Sequence, residues 1–132
     1  MALTKDRATP RRANVDFSDP VAAGEEIHAG AIVMLNASGN AVKGAVATNL
    51  VARGVAQAHI DNVNGADGAM SVPSMKGLFR FNNAGSVTRA HIGDTAYVVD
   101  DETVAETNGG STRSALGEIK DVDALGVWVE IA

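Results

Sequence analysis

Three histidines carry most of the chemistry this chain offers: His28, His59 and His91. His91 stands in "RAHIGDTAYVV" (89–99), three residues before Asp94, and His59 stands two residues before Asp61. Imidazole beside carboxylate suits two kinds of work: proton transfer, and coordination of a borderline metal such as zinc. Neither comes with a chelating spacing, since no H-x-H, HExxH or H-x3-H pattern occurs. His59 and Asp61 would share one strand face, which is compatible with a site without being diagnostic of one. The preferred reading is of strand-end histidines that hydrogen-bond locally. Asp94, after Gly93, reads as a turn residue whose carboxylate accepts nearby backbone N–H groups.

Other chemistries lack their residues. There is no cysteine, which removes disulfides, thiolate nucleophiles and cysteine-based zinc sites. No serine lies in a G-x-S-x-G elbow. "NGGST" (108–112) is glycine-rich but has no lysine at P-loop spacing. "DDE" (100–102) lacks the further oxygen ligands of a calcium loop and reads as a solvated hairpin tip. The expectation is a protein with no catalytic residues, no cofactor and no resident metal.

Charge is distributed unevenly. Residues 1–15 hold Lys5, Arg7, Arg11 and Arg12 against Asp6, a net of +3, so the total of −5 leaves −8 on the remaining residues. An acidic body argues against a dedicated nucleic-acid-binding domain. The four cations point instead to an acidic protein surface as partner. Residues 1–20 include Pro10 and Pro20 and show no apolar periodicity. They are expected to form an extended arm that orders on binding. No apolar run approaches the ~20 residues of a membrane helix, and "MALTKDRATPRRANVDF" has no signal-peptide core.

From Val21 onward, short apolar runs alternate with Gly, Asn, Asp and Ser clusters, the pattern of an all-β domain. Strands are expected at 31–35, 41–44, 50–60, 69–72, 76–82, 95–99, 103–106, 115–122 and 126–132. A kink is expected at Gly54, a break at Pro73 and a short helical turn over 44–50. This series predicts a small antiparallel barrel or sandwich over 21–132. Scarce aromatics (4%) and a core of alanine and valine favour further burial by self-association. In "GVWVEIA" (126–132), Val127, Val129 and Ile131 alternate with Trp128. Trp128 is therefore placed on the outer face, where it would serve as a subunit contact. "IHAGAIVMLNASGNAV" (27–42) resembles "AHIGDTAYVVDDETVA" (90–105), with His28/His91, Gly30/Gly93 and Gly54/Gly117 each 63 residues apart. The earlier copy has Ala31 where Asp94 stands, which disfavours a catalytic His91–Asp94 pair and leaves His91 as a second subunit-contact candidate.

The succession "AGEEIHAGAIVMLNASGNAVKGA", "LVARGVAQ", "HIGDTAYVVDDETVAE" and "ALGEIKDVDALGVWVEIA" resembles the decoration, or head cement, proteins of tailed bacteriophages over roughly residues 22–132. The resemblance implies a β-barrel-like body on the outer surface of the virion, made in the host cytoplasm. It implies homo-oligomers, trimers or else dimers, bound to the major capsid protein, with the arm reaching onto the shell. A second expectation is a non-catalytic binding module for glycans or for appendage assembly.

Overall fold

The computed structural model describes residues 2–12 and 14–132. The chain is all-β. Its first half contains β1 (Asp16–Pro20), β2 (Glu26–Ile27), β3 (Ile32–Leu35), β4 (Ala41–Lys43), β5 (Val51–Ala56), β6 (Ile60–Asp61) and β7 (Ser71–Met75). The second contains β8 (Gly77–Asn83), a 3₁₀ turn (Arg89–His91), β9 (Thr95–Val98), β10 (Thr103–Ala105), β11 (Ala115–Asp123) and β12 (Gly126–Ile131).

Three expectations need correction. The arm does not extend to residue 20, because β1 pairs antiparallel with β7 and Lys76 N–H donates to the Val15 carbonyl at 2.8 Å. Pro73 does not break the chain but lies inside β7. Its carbonyl accepts from Gln57 N–H, one residue beyond the last β5–β7 pair, Ala56↔Ser74. A residue's N–H and C=O point to the same side of an antiparallel strand, so the donor that proline lacks falls where β5 is already ending. No helix forms over 44–50. That segment is held by Ser114, whose hydroxyl accepts from Leu50 N–H (3.1 Å) and donates to the Ala47 carbonyl (2.7 Å).

The 63-residue repeat is structural. The first half orders its strands β1-β7-β5-β3-β4, and the second closes a barrel in the matching order β8-β12-β11-β9-β10. Val33 faces Gly54 and Met34 faces Ala52, leaving Arg53 as an extra, bulged residue. Sixty-three positions on, Ala96 faces Gly117 and Tyr97 faces Ala115, and Leu116 is the bulge. The hairpins agree as well, with Leu35↔Ala41 matching Val98↔Val104. Gly30 and Gly93 adopt positive φ (88° and 98°) and send their N–H groups to Ala56 and Ile119, both at 2.8 Å.

The halves differ at the seam. In the second, Asn82 and Ala84 N–H groups donate to the Glu102 and Val104 carbonyls, and β10 pairs parallel to β8. In the first, Ala22 N–H donates to Ala41, but two residues earlier stands Pro20, which has no N–H. A single Val21↔Ala41 bridge closes that seam.

Two apolar clusters share β3. Val33 packs with Val21, Ile27, Ala41, Ala56 and Val72 inside the first half. Ile32 and Met34 point the opposite way, into a cluster with Val55 and the second half's Val98, Ile119, Val127 and Val129. The bulge glycines allow strands to meet closely. A Cβ on Gly54 would sit 2.6 Å from the Met75 carbonyl oxygen, and one on Gly117 would clash with the Glu130 carbonyl. Gly54→Ala and Gly117→Ala are each expected to cost about 1–3 kcal/mol, read as a lower urea midpoint. Unchanged midpoints would contradict the close strand contact.

Candidate functional site

The first candidate surface lies where the arm meets the body. Phe17 and Asp19 occupy alternate positions on β1, and both meet Arg53, the bulged residue of β5. Arg53 Nε donates to Asp19 Oδ2 at 2.8 Å and Nη2 to Oδ1 at 3.0 Å. The same guanidinium lies 3.7 Å from the Phe17 ring centroid. Lys76 Nζ (5.2 Å) and the Arg12 guanidinium (5.5 Å) approach that ring too. Planar stacking and a bidentate fork are geometries that arginine supplies and lysine does not. Lys5, Arg7, Arg11 and Arg12 are exposed and make no ion pair among the described residues. Arg12, Arg53 and Lys76 thus flank one aromatic ring on a strand that also carries Asp16 and Asp19.

The second candidate is the outer face of the second half. Val127, Val129 and Ile131 are buried, and Trp128 is half-buried on the other face. Its indole N–H donates to Asp123 Oδ2 at 3.0 Å, and the Arg80 guanidinium lies 5.7 Å from its ring. His91 lies apart, in the 3₁₀ turn, where its Nδ1 accepts from Thr88 N–H at 2.9 Å. His91 and Asp94 are joined only through the backbone, Asp94 N–H to His91 carbonyl at 2.9 Å. The Asp94 carboxylate makes no hydrogen bond among the described residues, contrary to expectation. Its carbonyl instead accepts from Ile119 N–H. This is the geometry of a strand entrance rather than of an acid–base pair.

The third candidate gathers two of the three histidines. His28 and His59 stack with ring centroids 4.7 Å apart and planes 6° apart. His59 Nε2 lies 2.8 Å from Glu26 Oε2. Glu26, His28 and His59 each present a ligand atom within 4.8 Å of the others. Glu26 and Ile27 form β2, which pairs with β6 and so carries His28 alongside His59. Asp61 is not part of the group, because its Oδ1 accepts from Val63 N–H in a local turn. His91 is also outside it. Sequence reading missed Glu26, although Glu26-Ile27-His28 places the two polar residues on one strand face. The pairing partner, 33 residues away, supplied no local signal. A cleft of about 400 Å³ adjoins His28, lined also by Gly30, Asp101 and Glu102.

Comparison with family models, curated proteins and solved structures found no match.

Two expectations follow from these sites. Arg53→Ala leaves Asp19, 8% exposed, without its partner and should cost about 2–3 kcal/mol. Arg53→Lys should restore only part of this by thermal melting, and full restoration would contradict the fork-and-stack geometry. The Asp123 carboxyl is held below its ordinary value of 3.8, chiefly by the Trp128 indole N–H and then by Leu125 N–H. A lowered folded-state pKa stabilises above the ordinary value, and that contribution is lost as pH falls through the lower one. Emission of the single tryptophan should therefore change with pH around a midpoint below 3.8. Asp123→Asn should abolish that change, and a midpoint at or above 3.8 would contradict the assignment.

Proposed function

We propose that this chain is a structural capsid decoration protein, which binds the outside of a phage head shell and stabilises the expanded shell by bridging neighbouring capsomers. The observation that supports this reading best is the placement of the basic arm. Residues 2–12 are exposed and without strand structure, and they lead into β1, which Arg53 clamps to the body. A tethered cationic segment on a packed β body suits binding to a large acidic surface, not turnover of a small substrate. The partner in this proposal is the major capsid protein, met through Lys5, Arg7, Arg11 and Arg12.

Self-association multiplies such contacts, so that modest affinity per copy suffices. Trp128 and Leu78, the latter 51% exposed, lie on neighbouring strands of one face. They offer an apolar centre for a trimer or a dimer. A protein that binds the expanded state in preference to the unexpanded one shifts the equilibrium toward expansion. No chemical step is required.

Co-sedimentation with expanded heads tests the proposal. Full-length protein should pellet with the shells. A variant lacking residues 2–12 should bind at least about tenfold more weakly, with an unchanged Tm, because β1 and its clamp are retained. Raising the salt concentration should weaken the full-length protein more than the truncated one. Equal binding by both would remove the arm from the mechanism, and no binding by either would overturn the proposal.

A further inference from the structure

We propose that Glu26, His28 and His59 form a binding site for one divalent transition-metal ion of the zinc class. This site is independent of the shell-binding role. The donor set is two imidazole nitrogens and one carboxylate oxygen, which suits zinc and its neighbours in the first transition row and not magnesium or calcium, which take oxygen ligands.

The backbone that presents these donors is fixed on both sides. Glu26↔Asp61 and Ile27↔Ile60 pair β2 with β6, and Ile27 is fully buried. Just beyond β6, buried Asn62 donates through its amide to the carbonyls of Val21, Ala22 and Ala66. Its N–H donates to Glu25 and its carbonyl accepts from Gly24, both in the turn leading into β2. The two ligand-bearing segments therefore hold a constant separation, as a preorganised site requires.

The two rings must tilt out of their parallel stack for their in-plane lone pairs to converge on one ion. The three ligand atoms already lie within 4.8 Å of one another. Metal–ligand bonds of roughly 2.0–2.2 Å require ligand atoms about 3.3 Å apart. His28 and His59 are exposed, so rotation about their side-chain bonds can close that gap. Without metal, His59 Nε2 and Glu26 Oε2 are hydrogen-bonded at 2.8 Å. Three protein ligands leave a position open. The cleft that adjoins His28 is also lined by Asp101 and Glu102.

The repeat contains its own control. Sixty-three residues on, Glu26, His28 and His59 are matched by Arg89, His91 and Val122. The second copy keeps one histidine, replaces the acid with a cation and loses the second imidazole. Arg89 there pairs with Asp121 at 2.8 Å. The second copy, with an incompatible donor set and a 3₁₀ turn where the first has β2, should not bind the ion.

Titration of the metal-free full-length chain with ZnCl₂, followed by calorimetry, tests the assignment. One equivalent should bind, and excess Zn²⁺ should raise Tm by about 5 °C or more, whereas Mg²⁺ should not. His28→Ala, His59→Ala and Glu26→Gln should each weaken binding by about tenfold or more, with circular dichroism showing that each folds. His91→Ala should bind as the unmodified chain does. Absence of saturable one-equivalent binding overturns the proposal, as does full retention by the cluster variants or an equal loss in His91→Ala.

Discussion

A single strand buried on both faces ties this molecule together. β3 reads Ile-Val-Met-Leu with no polar position, where a half-exposed strand would alternate. Val33 completes the interior of the first half, while Ile32 and Met34 complete the cluster it shares with the second. The halves are therefore not independent beads. Ile32 N–H also donates to the Asp101 carbonyl at 2.9 Å, so the second half's β9–β10 hairpin is held directly against β3. That bond fixes the position of Asp101 and Glu102 across the cleft from His28. The wall of the cleft beside His28 thus depends on a backbone bond to the strand that follows it.

Two copies of one unit, given different residues at equivalent places, separate what the fold needs from what a site needs. The bulge before Gly54 and Gly117 is kept in both because adjacent carbonyls leave no room for a Cβ. The bulged residue itself is not constrained in this way. Leu116 is buried in the core, whereas Arg53 turns to Asp19 and Phe17. The seam shows the same freedom. Asn82 supplies a closing N–H, Pro20 does not, and the first half tolerates the loss because Ala22 still bonds Ala41. The entrance histidine also persists in both copies, but only in the first does it meet a second imidazole.

Much of this was legible in the sequence. Alternation and glycine punctuation located most of the long strands, and the offset of His28/His91, Gly30/Gly93 and Gly54/Gly117 anticipated a duplicated register. Alternation in β12 also placed Trp128 on the outer face. What was not legible depended on non-local pairing. β1 carries one large apolar residue, Phe17, and its strand character comes from β7, more than fifty residues later. Pro73 read as a break because its local rule is sound. The rule yields where β5 ends before the missing donor is needed. Glu26 went unnoticed because its meaning comes from His59, which pairing of β2 with β6 brings to it.

The same dependence explains how a basic arm can stand on an acidic body without collapsing onto it. The arm's net charge of +3 faces −8 on the rest of the chain, and simple attraction would fold it back onto the nearest carboxylates. Where the arm joins the body, however, the local charge is mixed: Asp16, which opens β1, is exposed, while Asp19 is paired and buried. Asp19 is already neutralised by the Arg53 fork, and Lys76 stands beside it near Phe17. Arg12 accordingly meets an aromatic ring flanked by cations instead of a free carboxylate. Attraction from acids elsewhere on the body is screened over about 8–10 Å at physiological salt. Arg53 therefore has two effects through one contact: it anchors the strand that carries the arm, and it neutralises Asp19, one of the two acids of β1.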